Sequence, residues 1–225
     1  MRKVITCLLL VLVVGCATTK QASLSSVTET GFLGDYSQLT PTDNKDQALL
    51  RYVDPNAAWS TYTMVRLEPV TFWAGRDSQI SPQVQQKLCD YAYAKIKEAL
   101  VAKGYQIVTT GGPGVMVLRA AITDPTSATP VLRTISVVVP QARLLTAATG
   151  LVTGEQAFAG SIQGEGEILD SVTHTRLAAW VDKRSGGGSI KNAGAWKWGD
   201  AETVINFWAT TLATRLVQFR QGQAS

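Results

Sequence analysis

The chain is poor in the side chains that most often bind metals or carry catalysis. Its 225 residues include three Cys and one His. A structural zinc site usually needs four Cys or His ligands, so we expect no metal site and no cofactor. Charged residues make up 17% of the chain, and no run of five basic residues occurs. Nucleic-acid binding therefore has no electrostatic support.

The chain also lacks an apolar run long enough to cross a bilayer. The longest such run, residues 4–14, has about a dozen residues, whereas a membrane-spanning helix needs about 20. Arg2 and Lys3 precede this run. A short basic start followed by a short apolar segment is typical of a secretory signal, so we predict a signal peptide over residues 1–15.

The segment Val13-Val14-Gly15-Cys16 resembles a bacterial lipobox. The resemblance implies a diacylglycerol thioether on Cys16 and a further acyl chain, such as palmitate, on its amino group. Several acyl chains anchor a protein stably. Ala17, rather than Asp, follows the cysteine, which by the same resemblance favours the outer membrane and its periplasmic face. The alternative is an ordinary signal peptide with an incidental cysteine.

Residues 16–30 form the second predicted unit, which comprises the lipidated cysteine and a flexible tether. The side chains of residues 17–30 are mostly small and polar and cannot bury a face. Residues 31–225 are predicted to form one domain, since this length supports one sizeable core. Loss of Arg2 and Lys3 would lower the basic count from 21 to 19 against 17 acidic residues, so the mature chain is nearly neutral.

The periodicity of the domain predicts an α+β fold. One helix starts at Pro82, with Ser81 as its N-cap, and ends before Gly104, and a second runs from an Asp200 cap to Gly222. Strands are predicted at residues 63–72, 105–108, 115–122 and 131–139, in a hairpin of 158–169 with 177–181, and a short helix at 142–148. We expect a mostly antiparallel twisted sheet with two amphipathic helices on one face.

Five sequence blocks, in order, resemble a family of bacterial lipoproteins known by domain of unknown function 3313. The blocks lie at residues 31–39, 52–55, 120–124, 170–184 and 198–200. The resemblance spans roughly residues 31–220 and implies an envelope location and a fold. It implies no reaction.

Three acidic residues of the predicted hairpin are candidates for chemistry. Glu165 and Glu167 share one side of a strand, and Asp182 lies on the partner strand. Paired carboxylates serve glycoside hydrolysis or bind cations. Alternatively, these acids line the solvent-exposed face of a hairpin, paired across strands with neighbouring basic residues. Those basic residues are Arg176, Lys183 and Arg184.

Trp196 and Lys197 follow a glycine-rich stretch and are candidates for binding a partner. Exposed tryptophans stack on sugars or anchor protein partners. Trp198 lies two residues before Asp200 and is expected to belong mainly to the fold. The alternative is that both tryptophans fold back as a lid over the sheet and the last helix.

Two further residues carry weak signals. His174 lies in the hairpin turn, where an exposed imidazole is ordinary, and no nucleophile with an orienting acid is evident beside it. Cys89 falls on the first predicted helix beside Leu88, which favours a buried, inert thiol.

These observations favour a non-enzymatic envelope lipoprotein. Its role would be binding or envelope maintenance, and its partners would be the membrane, through the lipid anchor, and an envelope protein or a peptidoglycan component. The alternative is a carbohydrate-active cell-wall enzyme that uses Glu165, Glu167 or Asp182. Replacing these acids distinguishes the two hypotheses.

Overall fold

The strands pair into one mixed sheet, and two long helices cover one of its faces. The computed structural model describes residues 19–74, 78, 80–123, 135–136, 161–186 and 198–223. Within these ranges the strands are β1 Lys20–Gln21, β2 Thr40–Pro41, β3 Leu50–Val53, β4 Met64–Leu67, β5 Thr71–Trp73, β6 Gln106–Ile107, β7 Val115–Thr123, β8 Ile135–Ser136, β9 Ile162–Asp170 and β10 Arg176–Ser185. The helices are α1 Pro82–Ala102 and α2 Trp198–Arg220.

The centre of the sheet is an antiparallel group of three long strands, β7, β9 and β10. Strands β1 and β3 pair with the free edge of β10, and β2 pairs with β3. On the other side, β4 and β5 pair with β7 in parallel, as does β6 with β4. The parallel pairs are possible because α1 supplies the crossover between them. The predicted α+β architecture, with a mostly antiparallel sheet, is confirmed.

The first helix follows its sequence signals closely. Ser81 Oγ accepts a hydrogen bond from the Val84 amide at 3.4 Å, and Pro82 occupies the first helical position. Gly104 follows the helix with a positive φ of 85°. A buried stripe of apolar residues faces the sheet and α2: Val84, Leu88, Ala92, Ile96 and Leu100.

The second helix begins earlier than predicted. It starts at Trp198, so Asp200 lies in the first turn and not at the N-cap. A carboxylate in the first turn still interacts favourably with the helix dipole. The single strand predicted over residues 63–72 is also interrupted, because β4 and β5 are separate strands on either side of Pro69. The predicted helix at 142–148 and most of the predicted strand at 131–139 lie outside the described residues.

Small residues line the side of the sheet that faces the helices. A Cβ added to Gly166 would lie 2.2 Å from the Trp180 ring, and one added to Gly164 would lie 2.9 Å from the Trp208 ring. Both distances are far shorter than real carbon–carbon contacts. These glycines therefore let two tryptophan rings lie directly on the sheet.

The flexible tether predicted over residues 16–30 is wrong from Thr19 onward. β1 pairs with β10, and the Gln163 amide bonds to Thr28 in both directions, at 2.7 and 3.1 Å. Lys183 Nζ donates to the Ser26 carbonyl oxygen at 2.6 Å, and Thr30 is buried. Polar side chains of the sheet thus supply the partners that this segment cannot find in an apolar core.

The chain then continues across the face of the sheet that the helices leave uncovered. Phe32 and Leu33 form a small second core with residues of β7 and β10, namely Ala121, Ala179 and Val181. Both faces of the sheet are consequently covered. In the part of the chain that the structure describes, no helix is both long and apolar enough to cross a membrane.

Candidate functional site

The structure places the three hairpin acids on two different faces of the sheet. Glu165 lies opposite Val181, on the face of the sheet that Phe32 and Leu33 cover, and Glu167 shares that face. Asp182 lies opposite Gly164, on the helix side. All three acids are at most 3% exposed. The expectation of a solvent-exposed acidic face is wrong, because segments distant in sequence cover both sides of the hairpin.

Glu165 holds the segment between Gly31 and Tyr36 on the sheet. The Tyr36 hydroxyl donates to Glu165 Oε2 at 2.5 Å and accepts from the Gly31 amide at 3.0 Å. Gln163 donates to the other carboxylate oxygen. Burial raises the pKa of Glu165, and hydrogen bonds from Tyr36 and neighbouring groups partly offset that rise. Burial and the nearby carboxylate raise the pKa of Tyr36 to about 12.

Glu167 is held by two arginines. Arg119 donates to Oε1 at 2.5 Å, and Arg176 pairs with Oε2 through Nε and Nη2 at 3.1 and 3.0 Å. Arg176 also donates to the carbonyl oxygens of Leu33 and Asp35, at 2.8 and 2.7 Å. The pair of Glu167 and Arg176 therefore holds the turn at residues 33–35 on the sheet.

Asp182 receives hydrogen bonds from four separate groups. Its Oδ2 accepts from Arg184 Nε at 2.5 Å and from Trp208 Nε1 at 2.8 Å. Its Oδ1 accepts from Gln21 Nε2 at 3.2 Å and from the Leu49 amide at 3.3 Å. One carboxylate thus joins β1, β10, α2 and the start of β3.

Arg184, the ionic partner of Asp182, is itself 2% exposed. Its guanidinium donates to the carbonyl oxygens of Lys45 and Gln47 at 2.6 and 2.9 Å, and to Thr19 Oγ1 at 3.2 Å. It also lies over the Phe207 ring, 3.9 Å from the ring centroid. This buried ion pair is satisfied on both sides, which is the condition under which such pairs are tolerated.

The contacts of the three acids are those of structural residues, because each carboxylate holds separate segments of the chain together. Glycosidases place two carboxyl groups on either side of one substrate, about 5–9.5 Å apart across a cleft. Here Asp182 and the two glutamates are separated by the sheet itself, and each carboxylate is occupied by protein donors. Among the described residues, no cluster of three Cys, His, Asp or Glu is arranged to hold a metal ion.

The remaining candidates are distributed as follows. His174 is exposed in the turn between β9 and β10, with a positive φ of 59°. Cys89 is buried on α1, and burial raises the pKa of its thiol, as expected for an inert cysteine. Cys16, Trp196 and Lys197 lie outside the described residues.

Sequence reasoning missed an apolar cavity between the two helices and the sheet. Its volume is about 130 Å³, and its walls come from α1, α2, β3, β7, β9 and β10. The cause is a set of small residues that face the cavity, Ala92 on α1 and Ala120, Gly164 and Ala178 on the sheet. Alternating small residues in three neighbouring strands are a signal that the sequence does contain.

Comparison with known proteins gives the family. The model of the family described as "Protein of unknown function (DUF3313)" matches residues 28–212. The chain belongs to the DUF3313 family. This DUF3313 protein is 31% identical over 159 residues to the uncharacterised lipoprotein YdcL of Escherichia coli K12, covering 69% of this chain and 70% of YdcL. The YdcL of Escherichia coli O157:H7 matches equally.

Solved structures give weaker similarities to this DUF3313 chain. A PelC dodecamer from Paraburkholderia phytofirmans matches with a TM-score of 0.36 and 11% identity, over 72% of this chain and 94% of that one. A DUF4136 family protein from Bacteroides thetaiotaomicron matches with a TM-score of 0.37 and 10% identity, over 74% and 95% of the two chains. Similarity at this level carries no functional conclusion.

Proposed function

We propose that this protein is an outer-membrane lipoprotein, anchored through acyl chains on Cys16, whose periplasmic domain acts as a binding module and not as an enzyme. Membership of a lipoprotein family supports the anchor. The occupied carboxylates of Glu165, Glu167 and Asp182 carry the non-enzymatic part of the proposal. A catalytic acid needs an oxygen free to meet a substrate, and these oxygens meet protein donors instead.

If Cys16 carries the anchor, the docked N-terminal segment, residues 19–30, limits how far the domain lies from the membrane. Thr19 already contacts Arg184, and three peptide steps separate it from Cys16. Three residues span at most about 10 Å. A lipidated Cys16 therefore keeps the β1–β10 edge of the sheet close to the membrane surface. The partner we propose is an envelope protein or a peptidoglycan component that lies within reach of this surface, contacted by Trp196 and Lys197.

The anchor is tested by replacing Cys16 with Ser and following labelled palmitate and membrane fractionation. We expect the variant to incorporate no label and to leave the outer-membrane fraction. Cys7→Ser is the matched control, since Cys7 lies inside the apolar run of the signal. That variant should be labelled and sorted as the wild type is. Labelling of the Cys16→Ser variant would contradict the anchor.

The binding role is tested by crosslinking in intact envelopes, with the wild type beside Trp196→Ala. We expect the crosslinked partner to be lost at an unchanged melting temperature, because a large anchoring side chain contributes about 2 kcal/mol or more to an interface. Equal destabilisation by Trp196→Ala and Trp198→Ala would instead support the lid. Incubation of the purified protein with peptidoglycan sacculi tests the enzyme alternative, and release of soluble fragments would overturn the non-enzymatic proposal.

A further inference from the structure

The cavity between the helices and the sheet is nearly all apolar inside but has two cationic side chains in its wall. Arg51 comes from β3 and Arg215 from α2, and both are half-buried. Arg51 lies opposite Trp180 in the strand register, on the helix side of the sheet. Burial, and the positive charge of Arg215 beside it, lower the pKa of Arg51.

These two arginines have no acidic partner among the described residues. No ion pair involves either side chain, and Arg215 donates only to the amide oxygen of Gln218, at 3.1 Å. Asp182 also lines the cavity, but Arg184 and three other donors already occupy its oxygens. Two neighbouring positive charges in the wall of an apolar cavity favour an anionic group beside them.

The size of the cavity limits what enters it. An apolar cavity of roughly 150 Å³ stays dry and holds one benzene molecule, so about 130 Å³ holds about six carbon atoms. Its walls are side chains of Ile96, Ile122, Trp180, Trp208 and Leu212 with small residues between them. A short linear hydrocarbon chain fits this description, with its polar end at the arginines.

The position of the cavity places it near a source of such molecules. Gln47 and Asp182 line its wall, and both are bonded to Arg184, which contacts Thr19. With Cys16 as the anchor, this wall lies in the part of the domain held closest to the bilayer. We propose that the cavity binds a single acyl chain with an anionic headgroup, with the chain between helices and sheet and the headgroup against Arg51 and Arg215.

This inference deepens the proposed binding function and rests on it. The ligand class is a fatty carboxylate or a single-chain phosphate lipid, which share an acyl chain and an anionic head. The test uses the full lipidated protein in phosphatidylcholine nanodiscs, titrated calorimetrically with octanoate, octyl phosphate and 1-octanol. Empty nanodiscs give the background of membrane partitioning. We expect saturable binding of at least one anionic probe, at least tenfold tighter than that of 1-octanol.

Two kinds of variant distinguish binding of the acyl chain from binding of the anionic headgroup. Arg51→Gln with Arg215→Gln should weaken the anionic probes at least tenfold and change 1-octanol less than twofold. Ala178→Leu fills the cavity and should weaken all three probes at least tenfold, and Ala120→Val replaces it if the first variant does not fold. Lys97→Gln, at an exposed position on α1 away from the cavity, is the matched charge control and should bind as the wild type does.

The probes also identify the source of the ligand. Tighter binding of octanoate indicates a fatty acid, and tighter binding of octyl phosphate indicates a phosphate-headed lipid. Equal affinity for 1-octanol and the anions, or anion affinity unchanged in the arginine variant, would overturn the proposal, as would heats no larger than those of empty nanodiscs. None of these readouts depends on a protein partner or on peptidoglycan, so failure here is distinct from failure of the proposed partner-binding role.

Discussion

Replacement of Asp182 by Ala tests whether the buried carboxylate stabilises the fold, as a structural residue does, or is free to act as a catalytic acid. The change removes the acceptor for Arg184, Trp208, Gln21 and the Leu49 amide at once. Breaking a buried ion pair from one side costs about 3–5 kcal/mol, since the remaining charge stays buried without a partner. For a chain of this size each kcal/mol lowers the melting temperature by about 2–4 °C, so we expect a loss of roughly 6–20 °C.

The assay is thermal and urea unfolding followed by circular dichroism. Asp46→Ala is the matched control, because Asp46 is exposed and its side chain makes no ion pair among the described residues. A surface change of this kind normally stays within about 0.5 kcal/mol of the wild type. An Asp182→Ala variant that unfolds within 1 kcal/mol of the wild type would refute the reasoning.

A double variant makes the test sharper. Arg184→Met removes the stranded charge and leaves an apolar side chain to pack on the Phe207 ring. Replacing both members of a buried pair with apolar groups is often neutral, whereas removing one is costly. We therefore expect Asp182→Ala with Arg184→Met to be more stable than Asp182→Ala alone. Strict additivity of the two single effects would show that the side chains are not coupled.

Three further predictions concern the sheet and its N-terminal cover. Deletion of residues 19–28 should lower the melting temperature, whereas an unbound tether would leave it unchanged. Gly166→Ala should cost about 1–3 kcal/mol in urea unfolding, because its Cβ would overlap the Trp180 ring, while Gly112→Ala, which meets no neighbour, should be nearly neutral. The pKa of Glu165 is raised by burial above the ordinary 4.5, so this group favours folding below that pH and loses the contribution as pH rises through the folded pKa. The free energy of unfolding of the wild type, relative to Glu165→Gln, should therefore fall from pH 4 upward, and a pH-independent difference would contradict this.

The helices were predictable because their signals are local. The Ser81-Pro82 start, the apolar spacing from Val84 to Leu100 and Gly104 are all within one element, and α1 follows them. The close approach at Gly166 is set within the hairpin itself, because the Trp180 ring of the partner strand packs against it. Such features are decided by neighbours in the sequence or by the partner strand.

The N-terminal cover and the burial of the acids were not predictable in this way. Several of the contacts that bury them join residues more than one hundred positions apart, such as Tyr36 with Glu165 and Ser26 with Lys183. Composition alone assigns residues 19–30 to a solvated segment, because most of their side chains are small or polar. The donors and acceptors that bind this segment are polar side chains of β9 and β10, and they are brought to it only when the sheet forms.

The docking of residues 19–30 affects how far the domain can lie from the membrane. In the proposed lipid-anchored protein, residues 19–30 act as stored length while they remain on the sheet. Twelve residues released in extended form add about 40 Å between the bilayer and the domain. The height of the domain above the membrane is therefore set by the free energy that holds this segment in place, and a ligand or load that detaches it would lengthen the connection without breaking any covalent bond.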